Sequence, residues 1–150
     1  MPQSARSLLR LAKVGALVAL AATLSGCLLV SLTFAQLAGL KALNLDRTTH
    51  GLRALPDRPD VQRKAQAWAA KLARENALYH SKITDGIRSR WCALAENVGS
   101  GSSVAAVEAA YMQSPHHRAS ILNSRYNGVG IGVVRAGRRV WVVQEFIQNC

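Results

Sequence analysis

Apolar side chains recur at helical spacing in the middle of the chain. The clearest stripe has steps of four, three and four residues and is formed by Val61, Ala65, Trp68 and Leu72. This stripe predicts an amphipathic helix that begins at Asp60, whose side chain can cap it, and that runs to about His80. A shorter helix is predicted before it over residues 41–53, where Gly51 would end it.

Two more helices are predicted further along the chain. Ser103 can cap the segment VAAVEAAYMQS, whose apolar side chains fall on one helical face. Pro115 suits the first turn of a short helix that ends near Asn123. The polar residues 81–90 include a glycine and predict a loop.

The last part of the chain has the alternation of β-strands. Val129, Ile131 and Val133 alternate with glycines, and apolar residues continue on both faces of residues 140–147. This pattern predicts two strands joined by a turn at Gly137, and the bare glycine face allows another element to approach the first strand closely. A short extended segment is predicted in WCALAENVG. Helices followed by a hairpin indicate an α+β domain whose small antiparallel sheet is covered by helices.

The N-terminal part has a different character. Arg6, Arg10 and Lys13 precede a stretch from residue 14 to residue 40 without a charged side chain. Such a stretch is typical of an export signal or a membrane anchor. We therefore expect residues 1–40 to form a signal peptide, lipoprotein signal or membrane anchor, and residues 41–150 to form the domain.

Three routes out of the cytoplasm fit this stretch. Leu24-Ser25-Gly26-Cys27 follows an apolar run and resembles the lipobox of bacterial lipoproteins, which implies lipidation of Cys27 and cleavage before it. Alternatively, the apolar residues continue far enough for an uncleaved span, or the chain is cut after Ala35. The protein is then membrane-anchored or secreted, and exported in each case.

The other two cysteines support an exported domain. Cys92 and Cys150 are the only cysteines of the globular part, and a pair in an exported domain is most simply interpreted as one disulfide. Two unrelated reduced thiols are the alternative.

Charge indicates the kind of partner. The formal net charge is +11, and without the three basic leader residues 16 basic against 8 acidic side chains remain. A basic surface favours anionic partners such as phospholipid headgroups or wall polymers. The basic residues are scattered and aromatic residues are few, so nucleic acid is not an expected partner.

Few residues are candidates for chemistry. The chain contains no nucleophile elbow, zinc-protease helix, phosphate loop or Cys-x-x-Cys pair. The remaining local signals are YHS at residues 79–81, AEN at residues 95–97 and SPHHR at residues 114–118. Their spacing is too wide for a local metal motif, and three unrelated surface groups are the simpler interpretation of spacing alone.

Several segments together resemble one family. LNLDRTTHGLRAL, AQAWAAKLARENALYHS, AENVG, YMQSPHHRASILNSRYNGVGIGVV and VWVVQEF stand in the order seen in the CAP superfamily, also called SCP-like extracellular proteins. The resemblance covers about residues 42–148 and is strongest to the short bacterial branch. It implies an α-β-α sandwich with a cleft where histidine and acidic side chains meet, often around a divalent metal.

Matched position by position, the resemblance assigns the cleft to three residues. The first histidine falls on His80, the acid on Glu96 and the second histidine on His117, while His116 takes a variable position. Two imidazoles and a carboxylate are suitable ligands for zinc and would leave a position for water. Without metal, a histidine beside Glu96 could act as a base.

The sequence also departs from the family pattern. Tyr111 stands at the usual tryptophan and is followed by Met112 and Gln113, where many members carry a second glutamate. Glu108 lies one turn earlier and cannot be assumed to replace it. Ala95 stands where a glycine usually precedes the Glu-Asn pair.

Three functions follow as hypotheses. The first is an exported, envelope-associated CAP domain that binds a small molecule, lipid or cell-wall component in its histidine-glutamate cleft. The second is a metal-dependent hydrolase, in which His80, Glu96 and His117 hold the ion. The third is an interaction module of the bacterial envelope with a vestigial cleft. Members of one fold perform different tasks, so the fold does not decide among them.

Overall fold

The computed structural model describes residues 32–150, so that the basic leader residues and Cys27 lie outside the described part. The described part contains four helices and three strands. In chain order these are α1 (Phe34–Thr49), α2 (Pro59–Glu75), β1 (Ala93–Gly101), α3 (Val104–Gln113), α4 (Pro115–Ile121), β2 (Gly128–Ala136) and β3 (Arg139–Gln148). No helix in residues 32–150 is both long and apolar enough to span a membrane.

The first helix starts earlier than the apolar pattern predicts. The α1 helix begins at Phe34, not at residue 41, because Thr33 and Gln36 form a reciprocal capping box at its first turn. Its end agrees with the prediction, since the chain turns at Gly51 with a φ of 74°. The boundary predicted between residues 40 and 41 therefore falls within a continuous helix.

Both ends of α2 differ from the prediction. Arg58, not Asp60, occupies the N-cap position, and its side chain makes no capping hydrogen bond. Asp60 lies in the first turn of the helix. The Asp60 carboxylate instead accepts hydrogen bonds from the loop residues Arg88 and Ser89. The helix ends at Glu75, five residues before His80, because Asn76 adopts a left-handed conformation with a φ of 50°.

The predictions for the two later helices are largely confirmed. Ser103 Oγ accepts a hydrogen bond from the Ala106 amide and begins α3. Pro115 lies in the first turn of α4, which ends at Ile121, two residues before the predicted Asn123.

The strands form one antiparallel sheet in the order β1-β3-β2. The predicted hairpin is confirmed, with Gly137 at a φ of 57° between β2 and β3. The short extended segment proves to be a nine-residue strand, β1, which continues into the glycine-serine stretch and pairs along its length with β3.

Helices cover both faces of the sheet. Side chains of α2, including Ala65, Ala69 and Leu72, pack with Trp141 and Val143 on one face. The other face forms a larger core with α1, α3 and α4, in which the sheet contributes Ile131, Val133, Val140, Val142 and Phe146. This arrangement is the α-β-α sandwich expected for the fold.

Glycines of β2 permit the close contact with α2. A Cβ atom at Gly132 would lie 2.0 Å from the Ala65 carbonyl oxygen, and one at Gly130 would lie 2.4 Å from the Gln62 backbone nitrogen. The predicted close approach to the glycine face is therefore confirmed.

A disulfide joins Cys92 to Cys150, as expected. The Cys92 amide also donates to the Gln148 carbonyl at 2.8 Å, and Asn149 Nδ2 donates to the Arg90 carbonyl. The bond therefore fixes the end of the chain beside the start of β1.

Candidate functional site

The first predicted histidine lies in an extended segment just after α2. Because the helix ends at Asn76, residues 77–80 run back along the domain, and Trp68 Nε1 holds them by donating to the Tyr79 carbonyl at 3.1 Å. The His80 side chain is 62% exposed, and its Nδ1 lies 2.7 Å from Glu96 Oε1. The structure therefore brings these two predicted residues together.

Glu96 is buried at the middle of β1. Its Oε1 also accepts a hydrogen bond from the Ser81 amide at 2.9 Å, and Lys64 Nζ lies 3.9 Å from its Oε2. Burial opposes ionisation of Glu96, but hydrogen bonds from Glu145, Ser81 and His80 outweigh burial and lower the pKa of the carboxyl. Glu96 is therefore ionised at neutral pH.

Glu145 and Lys64 are the buried charged neighbours of Glu96. Glu145 is the direct cross-strand partner of Glu96, and its Oε1 accepts a hydrogen bond from Lys64 Nζ at 2.7 Å. Lys64 also donates to the Ser81 hydroxyl. Burial, together with the neighbouring Glu96 carboxylate, raises the pKa of Glu145 to about 9, so Glu145 holds a proton at neutral pH and can donate it to Glu96.

This network determines the tautomer of His80. An ionised carboxylate only accepts hydrogen bonds, so the His80 Nδ1 that lies against Glu96 must carry a hydrogen. In the neutral ring the lone pair is then on Nε2, the nitrogen that makes no hydrogen bond to a described residue. A buried carboxylate thus holds an exposed imidazole with its basic nitrogen free.

His117 reaches the same edge of the sheet from the opposite face. Neighbouring strand residues point to opposite faces, so Glu96 faces α2 and Asn97 faces α3 and α4. Asn97 Nδ2 donates to the His117 carbonyl at 3.1 Å, and the half-buried His117 ring packs on Tyr111 with centroids 4.9 Å apart. Burial lowers the pKa of His117, and the nearby His80 and His116 lower it further.

The adjacent residues have other roles. His116, at the variable position before His117, is exposed. Asn97 is 1% exposed, and its side chain braces α4 by donating to the main-chain carbonyl of His117, which is a structural role. Arg118 Nη2 lies 3.1 Å from Nε2 of the exposed His50 at the end of α1, so the two side chains pair at the surface.

Glu108 belongs to a separate buried network. Gln144 Nε2 donates to Glu108 Oε2 at 2.5 Å, and Asn97 Nδ2 donates to Gln144 Oε1 at 2.9 Å. Burial, with a contribution from nearby Asp46, raises the pKa of Glu108 to about 8. Since this network lies on the face opposite to Glu96, Glu108 does not stand in for the missing second glutamate beside His80.

No role was predicted for Lys64, Ser81 or Glu145, although Ser81 stands within the YHS segment. The positions of Lys64 and Glu145 could have been recognised in the sequence. Lys64 lies three residues after Val61 on the buried side of α2, and Glu145 lies on the same buried face of β3 as Trp141 and Val143. Charged residues at core positions of a helix and a strand indicate a buried pair.

The residues do not offer a ready zinc site. Within residues 32–150, no three histidine, cysteine, aspartate or glutamate side chains are grouped so that they could share a metal ion. Glu96 Oε1 is engaged by His80 and Ser81, and the buried Oε2 lies 3.9 Å from Lys64 Nζ. In this geometry Glu96 orients His80, and zinc binding by His80, Glu96 and His117 stays a prediction.

One hollow of about 410 Å³ in the described part lies away from this site. It is lined by Arg47, Leu55 and Tyr126 among others and contains none of the predicted site residues. Arg47 is occupied there by the carbonyls of Arg53, Ile121 and Asn123, so this arginine has a structural role.

Solved structures share this fold at low sequence identity. An extracellular protein of Bacillus anthracis that contains an SCP domain is 20% identical, with a TM-score of 0.65, over 76% of this chain and 40% of that one. The chain thus spans about two fifths of that protein.

Two further structures are covered almost entirely. An outer surface protein of Borrelia burgdorferi is 17% identical with a TM-score of 0.65, over 74% of this chain and 90% of that one. Venom allergen-like protein 4 of Schistosoma mansoni is 11% identical with a TM-score of 0.66, over 79% and 91%. No curated protein matches the chain.

The family model described as the cysteine-rich secretory protein family, CAP, matches residues 40–146. This match covers α2 to α4, all but the last residues of the sheet, and each of the residues His80, Glu96 and His117. The chain therefore belongs to the CAP family.

Proposed function

We propose that this protein is an exported CAP-domain protein that binds a hydroxyl-bearing component of the envelope, a wall glycan or a lipid headgroup, at His80, Glu96 and His117. The observation that carries the proposal is the contact of 2.7 Å between His80 Nδ1 and the buried Glu96 carboxylate. Burying a charge costs free energy, and here the charge is used to hold one exposed imidazole in place.

Export is supported by three features. Residues 14–40 carry no charge, as in an export signal. The Cys92–Cys150 disulfide suits an oxidising compartment. Two proteins of the same fold are described as an extracellular protein and an outer surface protein.

The chemistry of the site favours a ligand with hydroxyl groups. The free Nε2 of His80 accepts a hydrogen bond when the ring is neutral, and a sugar or glycerol hydroxyl is a matching donor. The pKa of His117 is lowered by burial and by its neighbours His80 and His116, which favours a neutral second ring in the cleft. The basic surface would add attraction to anionic wall polymers or headgroups.

Binding to purified envelope components tests this proposal. The full chain in detergent would be sedimented with peptidoglycan sacculi and, separately, titrated with glycerophosphoglycerol, a soluble lipid headgroup, so that the N-terminal segment adds no membrane binding of its own. We expect one of these arms to show binding that His80→Gln and Glu96→Gln weaken at least about tenfold, the scale of one lost charge-assisted hydrogen bond. His116→Gln, which changes an exposed neighbour, is the matched control. Equal binding of all variants would show that the cleft is not the binding site and would favour an interaction module.

A metal-dependent hydrolase is the second candidate. It is favoured by the proximity of two imidazoles, since His80 contributes to the lowered pKa of His117. Calorimetry with zinc, calcium and magnesium ions on the wild type and His117→Ala would test it. A heat of binding that is seen with wild type and lost in His117→Ala would support a metal site. The absence of binding heat with every ion in the wild type would exclude this candidate.

A further inference from the structure

The α1 helix packs against the domain with one side and presents large apolar residues on the other. Its inner side packs into the domain through the buried residues Gln36, Gly39, Leu43 and Arg47. Helix geometry places Phe34, Leu37, Lys41 and Leu45 on the opposite side, because steps of three or four residues return to the same face. We call these four residues the outer stripe of α1.

The outer stripe is open to solvent in the described structure. Phe34 is 94% exposed, Leu45 is 64% exposed and Leu37 is 37% exposed, and Lys41 between them is exposed as well. Single exposed leucines are common, but several large apolar side chains on one helical face indicate a partner. The only charge on this stripe is positive, and the acidic Asp46 points elsewhere on the helical wheel.

The sequence on the N-terminal side indicates which partner fits. The chain enters α1 from the uncharged stretch that begins at residue 14, so any anchor in that stretch is directly continuous with the helix. Cys27, the residue of the lipobox-like motif, lies only six positions before Thr33. An apolar stripe with a lysine, next to a membrane-directed segment, has the composition of a helix that lies in a lipid interface.

The start of the helix depends on residues that cleavage after Ala35 would remove. Thr33 Oγ1 accepts from the Gln36 amide, and the Gln36 side chain accepts from the Thr33 amide at 2.7 Å. Gln36 is also tied to α2, because its Nε2 donates to Gln66 at 2.7 Å. The capped helix therefore favours a mature chain that keeps Thr33 and Phe34, which lipidation at Cys27 or an uncleaved span would provide.

We propose that the outer stripe of α1 lies on the phospholipid bilayer, with Phe34, Leu37 and Leu45 at the acyl-chain boundary and Lys41 beside lipid phosphates. The helix then lies flat on the membrane that the N-terminal segment enters, and it holds the domain in one orientation on the surface. This inference is independent of the ligand proposed for the cleft.

Tryptophan quenching by lipid tests the proposal on the full chain. Phe34→Trp and Leu45→Trp would each be reconstituted into vesicles of phosphatidylcholine and phosphatidylglycerol with brominated acyl chains. Leu78→Trp is the matched control, since Leu78 is a 49% exposed leucine outside α1. We expect the tryptophans at 34 and 45 to lose fluorescence to bromine and the one at 78 to lose none beyond the native background.

Position 45 makes the test specific. It lies eleven helical steps after Phe34, a distance of about 16 Å, so an anchor that merely tethers the domain would not bring it into the lipid. Quenching at 34 without quenching at 45 would overturn the proposal, as would quenching at neither position. A mature chain that begins at Gln36, measured by intact mass, would also overturn it. Cross-linking of two copies through position 45 in lipid-free detergent would assign the stripe to a dimer instead.

Discussion

Glu96 and Glu145 lie directly opposite each other on β1 and β3, and Lys64 Nζ lies 3.9 Å from the first and 2.7 Å from the second. Two carboxylates in these positions would repel each other. One buried ammonium group and one proton on Glu145 remove the conflict and leave a single negative charge at Glu96. The fold thus holds one charged carboxylate at a fixed place beside His80.

Removal of Lys64 should destabilise the protein strongly. Lys64→Met leaves two buried carboxyl groups without a cation, and we expect the free energy of unfolding to fall by about 3–5 kcal/mol. Lys71→Met is the control, because the Lys71–Glu75 pair is exposed and screened by solvent and should contribute little to stability. Denaturant titration would measure both. Similar losses of unfolding free energy in the two variants would mean that the buried group of Lys64, Glu96 and Glu145 contributes no more to stability than a surface pair.

Glu108 should make the protein less stable as the pH rises. Its pKa is about 8 in the folded protein against 4.5 ordinarily, so between these values the folded chain holds a proton that the unfolded chain has released. The free energy of unfolding should then decrease with pH across this window, by up to about 1.4 kcal/mol per pH unit. Glu145 acts in the same direction, so the effect of Glu108 must be isolated by substitution.

Glu108→Gln should reduce this dependence on pH. The amide keeps an oxygen that can accept from Gln144 and has no proton to lose. Denaturant titrations from about pH 5 to about pH 8 would compare it with wild type. Glu75→Gln, at an exposed position of α2, serves as control. An unchanged slope in Glu108→Gln would show that Glu108 is not the group that titrates.

Loss of the disulfide should lower stability without changing the fold. The bond closes a loop with a sequence separation of 58, for which the chain-entropy model gives about 4 kcal/mol. We therefore expect Cys92→Ala with Cys150→Ala to unfold at lower denaturant concentration than a Cys27→Ala control. Alkylation of the native Cys27→Ala protein should label no thiol before reduction, and labelling of Cys92 would contradict the bond.

A methyl group on the glycine face should disturb the packing of α2. In Gly132→Ala the new carbon would meet the Ala65 carbonyl, which is backbone and cannot rotate away, so we expect a loss of about 3 kcal/mol or failure to fold. Gly101→Ala should be milder, because its nearest neighbour is the Val107 side chain at 3.0 Å. Thermal unfolding would rank the two. Equal stability of Gly132→Ala and wild type would contradict the close contact.

Much of the fold could be predicted because it depends on local patterns. The Val61 to Leu72 stripe faces the sheet, Ser103 caps α3, and Gly137 turns the hairpin, each as the residue types require. The errors fall at helix ends. Asn76 in a left-handed conformation ended α2 early, and the Thr33–Gln36 capping box began α1 within the apolar stretch, where hydropathy alone suggested an anchor.

The site was predictable in part. The resemblance to the family identified His80 and Glu96, and the structure joins them through one hydrogen bond. It did not identify the supporting residues Lys64, Ser81 and Glu145, which act only through their contacts with Glu96 or with each other. A three-ligand zinc site remains a prediction, since His80 and Ser81 already engage Oε1 of the Glu96 carboxylate.

By itself the sequence determined which faces are apolar, where the chain turns and which two cysteines could pair, because each of these depends on side chains close in sequence or few in number. Only the tertiary structure decided which buried polar groups meet. Glu96 contacts residues from α2, the following loop and β3, and no local force selects partners at such separations. These partners are selected by the packing of α2 onto the glycine face of β2, which brings Lys64 over the paired strands β1 and β3. The carboxyl groups of Glu96 and Glu145 then share the Lys64 ammonium group and one proton.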